Sequence, residues 1–246
     1  MTITFGLQAR QPGVSSRFLS EINYYIRTEV ACCSGLLACN QYTLLVEPSL
    51  GVMHLLSCAE AASIKYLGIE LFGEKRSPNA GLLRRYCSSH ANILKADVPK
   101  VLRTLECPSP EIIEVINAEK PVVFFSFNVL GSMESGLDIV AGLLRAGFDV
   151  VISQFATGKA ARTLRSQLYR SQQLNAGLEI DARGEVFTSP SGFCSIAFDR
   201  SYLLNFLWNR FGRTILFSPV KENEIFSIFL LQLTTRDQTP LWRHEL

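Results

Sequence analysis

Short apolar runs without polar alternation recur along the chain and predict buried strands. The runs lie at residues 42–46, 64–69, 92–94, 122–125, 148–152, 214–217 and 225–233. Helices are predicted between most of these runs, at 51–63, 82–87, 98–106, 110–118, 135–146, 157–171 and 200–210. Before the first run, Phe18, Ile22, Tyr25 and Ile26 recur at helical spacing and predict a long helix. Continuous apolar strands that alternate with helices are typical of a parallel sheet covered on both faces.

The last two predicted strands are joined by too few residues for a parallel connection. Only a short turn around Lys221, Glu222 and Asn223 separates 214–217 from 225–233, whereas a parallel crossover needs about a dozen residues or more. The last strand is therefore predicted to run antiparallel to 214–217 and to 148–152. The predicted fold class is α/β, with seven strands in one mostly parallel sheet, an antiparallel last strand and helices on both faces.

The connections between these elements are short, which predicts a single domain over residues 1–246. Residues 1–40 form an N-terminal helical segment in this prediction. Residues 155–197 are more than a simple connection needs, and they become mixed and turn-rich from residue 172 onward. This segment is predicted to cap a substrate site.

Composition and charge exclude several classes of protein. The chain is 48% hydrophobic, which excludes intrinsic disorder. Its 24 basic and 22 acidic residues leave a net charge of +2, which argues against nucleic acid or an anionic membrane as a partner. No apolar run approaches the ~20 residues of a membrane span. Seven cysteines without a CxxC pair, and an opening segment unlike a secretory signal, predict a reducing, cytoplasmic location.

Polar residues follow four of the predicted parallel strands. Glu47 opens a turn with small residues after the first strand, Glu70 ends the second, Asp97 follows the third, and Asn128 follows the fourth. Because the carboxyl ends of parallel strands meet at one edge of a sheet, these residues are predicted to converge there. A tight strand-to-helix turn lets a ligand approach the backbone, and an acidic residue about twenty positions later can accept hydrogen bonds from a ribose diol.

These segments resemble the class I S-adenosylmethionine-dependent methyltransferases over roughly residues 15–235. Residues 47–51 are similar to the first motif of that family, an acidic residue followed by glycines at alternate positions. Residues 66–70 are similar to its ribose-binding strand end, and 94–97 to the segment that contacts adenine. Residues 124–131 take the place of the fourth motif, beside the methyl group. The resemblance implies a Rossmann-like sheet of seven strands that ends in an antiparallel pair.

The resemblance implies S-adenosylmethionine as the cofactor and no metal. It places the cofactor site at Glu47, Ser49, Gly51, Glu70, Leu71, Ala96, Asp97 and Asn128. In this interpretation Glu47 orients the first loop and the methionine amine, and Glu70 accepts hydrogen bonds from the ribose hydroxyls. Asp97 accepts one from the adenine amino group, and Asn128 lines the methyl-transfer end.

The chain departs from the family in two of these motifs. Ser49 stands where a glycine is expected, and Pro48 lies within the same loop. The fourth motif has Ser126 and Asn128 in place of an acidic residue.

Two functions follow from this resemblance. The first is methyl transfer to an unidentified, small-molecule acceptor. This reaction requires the protein to position the acceptor and remove water from it more than it requires a dedicated base. The alternative, which the altered first motif favours, is a catalytically inactive protein of this fold that acts as a binding or scaffold subunit.

Other candidate chemistry is weaker. His54, His90 and His244 are too scattered along the chain for a metal cluster, and His54 is predicted to be structural. No G-x-S-x-G elbow is present, which argues against a serine hydrolase of the usual α/β type. A loosely basic stripe on one helix is predicted to be a solvated face or else to bind an acidic substrate; its members are Lys159, Arg162, Arg165 and Arg170.

Overall fold

The computed structural model describes residues 16–49, 54–70, 91–95, 120–133 and 135–234. The helices are α1 (Ser16–Asn40), α2 (Leu56–Ala61), α3 (Gly136–Arg145), α4 (Lys159–Ser171) and α5 (Arg200–Phe211). The strands are β1 (Leu44–Ser49), β2 (Lys65–Glu70), β3 (Ala91–Lys95), β4 (Pro121–Phe125), β5 (Asp149–Phe155), β6 (Gly177–Asp181), β7 (Gly184–Thr188), β8 (Cys194–Phe198), β9 (Ile215–Glu222) and β10 (Phe226–Leu233). The helices predicted at 82–87, 98–106 and 110–118 lie outside the described residues.

The main sheet has seven strands in the order β3-β2-β1-β4-β5-β10-β9. Strands β1 to β5 pair in parallel, and β10 is antiparallel to both β5 and β9. The predicted α/β class, the strand count and the antiparallel last strand are thereby confirmed. The strand order changes direction between β1 and β4, which makes this place the topological switch point of the sheet.

Both faces of the main sheet are covered, because successive residues of each strand point to opposite faces. Leu45 and Phe124 belong to an apolar core with α1 and α2. Their neighbours Val46 and Phe125 belong to a second core with α3 and α5. This double burial explains why the strands read as continuous apolar runs.

Residues 172–198, predicted to be mixed and turn-rich, form a second sheet of three antiparallel strands in the order β6-β7-β8. Gly184 begins β7 at a φ of 139°, and an added Cβ there would overlap the carbonyl oxygen of Ala197 on β8. All five residues of β6 are exposed, so this strand carries no alternating pattern that the sequence could reveal.

Helix α1 extends beyond the sheet at its carboxyl edge. Its 25 residues span about 37 Å, whereas the six residues of β1 span about 20 Å. At its C-terminal end, the Asn40 carbonyl accepts a hydrogen bond at 2.6 Å from Lys120, which precedes β4. In its third turn, Tyr25 stacks on Phe226, the first residue of β10. The first turns of α1 therefore lie beyond the carboxyl edge of the sheet.

No helix within the described ranges is long and apolar enough to cross a membrane. Helix α2, predicted over 51–63, covers only Leu56–Ala61, and Ser63 takes a left-handed conformation two residues later.

Candidate functional site

Two of the predicted cofactor residues lie side by side at the carboxyl edge. Ser49 ends β1 and pairs in register with Glu70, which ends β2. Glu70 in turn pairs with Lys95, the last residue of β3. Neighbouring strands are about 4.8 Å apart, so one ligand can span these three strand ends. The predicted residues Gly51, Leu71, Ala96 and Asp97 lie outside the described residues, and their placement stays a prediction.

Glu47 is fully buried beside the switch point. Its Oε2 accepts hydrogen bonds from Tyr66 Oη at 2.7 Å and from the Leu55 backbone N–H at 3.1 Å. Its Oε1 accepts one from Ser126 Oγ at 3.3 Å, just after β4. Burial raises the pKa of Glu47, and the hydrogen bonds and nearby His54 oppose that rise. Glu47 therefore links β1 to Leu55, just before α2, and its contact with a methionine amine stays a prediction.

A second buried carboxyl group, which sequence reasoning missed, comes from α1. Glu29 is fully buried. Its Oε1 accepts a hydrogen bond from the Phe127 backbone N–H at 2.6 Å, and its Oε2 lies 2.8 Å from His54 Nε2. The sequence feature that indicates its burial is its position on the apolar stripe of α1, three residues after Ile26 and four before Cys33.

His54 lies buried between the two carboxyl groups. Its Nδ1 is 3.7 Å from Glu47 Oε1, beyond hydrogen-bond distance. Burial alone lowers the pKa of His54, but the hydrogen bond to Glu29 and the charges of Glu29 and Glu47 outweigh it and raise the pKa to about 9. The imidazole is therefore positively charged at neutral pH and bridges α1 to the start of α2.

Asn128 lies in a strained turn after β4. Phe127 and Asn128 have φ values of 45° and 61°, in the left-handed region, which asparagine tolerates better than most residues. The Asn128 side chain donates to Ser195 Oγ on β8 at 2.9 Å and accepts from the Phe155 backbone N–H at 3.3 Å. Asn128 thus joins the ends of β4 and β5 to the small sheet, and its role at a methyl-transfer end stays a prediction.

The prediction of a solvated basic stripe on α4 is wrong for Arg165. This residue is fully buried, because it shares the apolar face of α4 with Leu164 and Leu168. Its guanidinium donates to the carbonyl oxygen of Ser195 at 2.7 Å and lies 4.6 Å from the centre of the Phe187 ring.

The other basic residues of α4 lie nearer to solvent. Arg162 pairs with Glu185 at 2.8 Å, and Lys159 and Arg170 are exposed. The buried and paired arginines fasten α4 to the small sheet.

An open groove of about 400 Å³ lies between the starts of α1 and α4 and the turn before β10. Phe18 and Ile225 are buried residues of its lining, and Lys159 and Glu224 are exposed ones. No group of three His, Cys, Asp or Glu side chains within the described part of the chain could hold a metal ion.

Comparison with known proteins identifies the fold. No protein-family profile and no curated protein matches the chain. Among solved structures, magnesium protoporphyrin IX methyltransferase from Synechocystis PCC 6803 with bound S-adenosylhomocysteine matches with a TM-score of 0.54 at 13% identity, over 91% of this chain and 90% of that chain. The chain has the class I methyltransferase fold.

Two other structures with this methyltransferase fold give similar values. The 1,6-didemethyltoxoflavin-N1-methyltransferase from Burkholderia thailandensis, with bound S-adenosylhomocysteine, has a TM-score of 0.51 at 12% identity, over 89% of this chain and 87% of that chain. The N-terminal domain of EvdMO1, in the presence of S-adenosylhomocysteine and D-fucose, has a TM-score of 0.51 at 13% identity, over 86% and 83%. The Rossmann-like methyltransferase fold expected from the resemblance is thereby confirmed.

Proposed function

We propose that the protein is an S-adenosylmethionine-dependent methyltransferase that acts on a small-molecule acceptor. The observation that carries the proposal is the alignment of Ser49 and Glu70 at the carboxyl edge, beside the switch point where open α/β sheets bind ligands. Two proteins of the same fold are named as methyltransferases of 1,6-didemethyltoxoflavin and of magnesium protoporphyrin IX. Their names support a small-molecule acceptor, and their bound S-adenosylhomocysteine supports the cofactor.

The register of Ser49 and Glu70 supports this cofactor. Ser49, at the end of β1, would contact the methionine part, and Glu70, one strand away, would accept hydrogen bonds from the ribose hydroxyls. The resemblance adds Gly51 for the methionine part, and Leu71, Ala96 and Asp97 for the ribose and adenine parts.

The protein would accelerate methyl transfer by aligning the acceptor with the sulfonium methyl and by removing water from it. We propose that residues 155–197, which include α4 and the small sheet, cap the acceptor site. The hydrogen bond from Asn128 to Ser195 supports this assignment, because it joins this segment to the turn after β4. The free, buried thiols of Cys33 and Cys58 favour a reducing compartment such as the cytoplasm.

A specific observation supports the alternative, an inactive protein of this fold that binds a partner. Glu47 is enclosed by Tyr66, Leu55 and Ser126 and has no exposed surface. Ser49 also adds a side chain where the backbone of the fold approaches a cofactor. In this alternative, the acidic residue of the first motif has only a structural role.

Calorimetric titration with S-adenosylhomocysteine and S-adenosylmethionine tests the proposed function. We expect the wild type to bind both, and Glu70→Ala to bind S-adenosylhomocysteine roughly 10- to 100-fold more weakly because a charge-assisted hydrogen-bond pair is lost. The matched control is Glu222→Ala at an exposed end of β9, which should bind like the wild type. A wild type that binds neither compound supports the inactive alternative.

A second variant examines the unusual first motif. Ser49→Gly restores the residue that the fold usually has, so it should bind S-adenosylhomocysteine as tightly as the wild type or more tightly. Loss of binding in Ser49→Gly would show that the serine itself is needed.

A further inference from the structure

We propose that Glu29 is a positioning residue that fixes the relative position of two loops at the carboxyl edge of the main sheet, beside the predicted cofactor site. The two loops are described at His54 and Leu55, which end the connection from β1 to α2, and at residues 126–129, which follow β4. The inference rests on the proposed function for its ligand, and its structural part can be tested without one.

The first step is the place of Glu29 along α1. Residues before it, such as Tyr25, pack beside Phe127 and the start of β10. Residues after it, such as Cys33, pack against α2. Glu29 therefore lies where α1 crosses the carboxyl edge, opposite the switch point between β1 and β4.

The second step is that each oxygen of Glu29 contacts a different loop. Oε1 accepts the Phe127 N–H at 2.6 Å in the turn after β4, and Oε2 lies 2.8 Å from His54, at the end of the loop after β1. Glu47 adds a further link between the same loops, because it contacts both Leu55 and Ser126. A shift of Glu29 would therefore move His54 and Phe127 together.

The third step is that the turn after β4 needs support. Phe127 has a φ of 45°, which is costly for a residue with a side chain and persists only where the surroundings hold it. The Phe127 N–H points to the carboxyl group of Glu29. Glu29 therefore stabilises the strained turn directly.

A comparison within α1 separates this role from an ordinary helix charge. Glu21 lies two turns earlier, and its side chain is 28% exposed and pairs with the exposed Arg17. The Glu29 side chain is completely buried, and a buried carboxyl group is costly unless its partners compensate. Glu21 is thus a matched control on the same helix.

The main experiment measures S-adenosylhomocysteine affinity by calorimetry for Glu29→Gln, Glu29→Leu, His54→Gln and Glu21→Gln, after circular dichroism has shown that each variant is folded. We expect roughly 10-fold weaker binding for Glu29→Gln, which loses the charge that faces His54, and a larger loss for Glu29→Leu, which also loses the Phe127 contact. Glu21→Gln should match the wild type. Equal affinity for Glu29→Gln and the wild type, or an equal loss in Glu21→Gln, would overturn the proposal.

The link through His54 has its own readouts. The double variant Glu29→Gln/His54→Gln should bind within about 2-fold of the weaker single variant, because both changes break one contact. Three groups from three elements face the imidazole, namely Glu29, Glu47 and Cys58. The affinity of the wild type for S-adenosylhomocysteine, compared with that of His54→Gln at each pH, should fall as the pH rises through about 9. A purely steric role of Glu29 would not produce this pH dependence.

Hydrogen exchange on the ligand-free protein separates this inference from the proposed function. In Glu29→Leu, which removes both contacts of the carboxyl group, the backbone amides of Leu55 and Phe127 should exchange faster than in the wild type. In Glu21→Gln they should not. If the wild type fails to bind S-adenosylhomocysteine, the proposed function fails, and faster exchange would still support the positioning role. Unchanged exchange at both amides would refute it.

Discussion

The Asn128 side-chain amide donates a hydrogen bond to Ser195 Oγ at 2.9 Å and so connects the main sheet to the small one. The same hydroxyl accepts a hydrogen bond from Tyr169 on α4 at 2.7 Å, and the Ser195 carbonyl oxygen accepts one from Arg165. Strand β8 is therefore fixed from both sides, by the turn after β4 and by α4. The stability of this junction can be measured with single substitutions.

Asn128→Ala should destabilise the protein by about 2–4 kcal/mol, because it leaves the buried Phe155 N–H without its acceptor and removes the donor to Ser195. Asn128→Gly removes the same contacts but accepts the left-handed φ, so it should be about 1 kcal/mol more stable than Asn128→Ala. Urea unfolding of both variants gives the two values. Equal stability of the alanine variant and the wild type would contradict the assigned contacts.

Arg165→Leu should destabilise the protein by about 2–4 kcal/mol, because it leaves the buried backbone carbonyl oxygens of Glu185 and Ser195 without their guanidinium donor. Arg170→Leu, at an exposed position of the same helix, should change the free energy of unfolding by less than about 0.5 kcal/mol. Urea denaturation measures both. Similar effects of the two substitutions would show that Arg165 contributes no more than a surface arginine.

Gly131→Ala should destabilise the protein by about 1–3 kcal/mol, because an added Cβ would overlap the backbone carbonyl oxygen of Ile196. The control is Gly35→Ala in α1, where nothing lies within 4 Å of the added atom. That change should stabilise the helix by about 0.5–1 kcal/mol. Thermal unfolding should therefore shift in opposite directions for the two variants.

The charged His54 should make stability fall at alkaline pH. Its pKa rises from 6.5 to about 9 in the folded protein. A raised folded-state pKa means that the folded protein holds the proton more tightly, so the contribution is complete below about pH 6.5 and is lost as the pH rises through about 9. The stability difference between the wild type and His54→Gln, measured by urea unfolding from pH 6 to 10, should shrink over that window. A constant difference would mean that His54 does not titrate there.

The main sheet could be predicted from the sequence because its strands are buried on both faces and read as unbroken apolar runs. The antiparallel direction of β10 followed from the length of one connection. The small sheet could not be predicted, because β6 is exposed throughout and β7 and β8 are only five residues long.

The site could be predicted only in part. Strand order places the ends of parallel strands at one edge, so the neighbourhood of Ser49 and Glu70 was predictable, whereas their pairing in register depends on how the strands pack. Glu29 was missed and Arg165 was assigned to a solvated stripe, although both carry the same signal, a charged residue on the apolar face of a helix. Their partners lie far away in the chain, at Phe127 and Ser195, and a local pattern does not contain them.

The stacking of Tyr25 on Phe226, with ring centres 4.5 Å apart, has a consequence for folding. Tyr25 leaves the ribosome early and Phe226 late, so most of the chain is synthesised before this contact can form. Until β10 inserts between β5 and β9, the apolar edge of β5 and one side of α1 are exposed to other nascent chains. Contacts between such distant parts of a chain also slow the search for the native state. Efficient refolding from denaturant should therefore require low protein concentration or a chaperone that shields this edge.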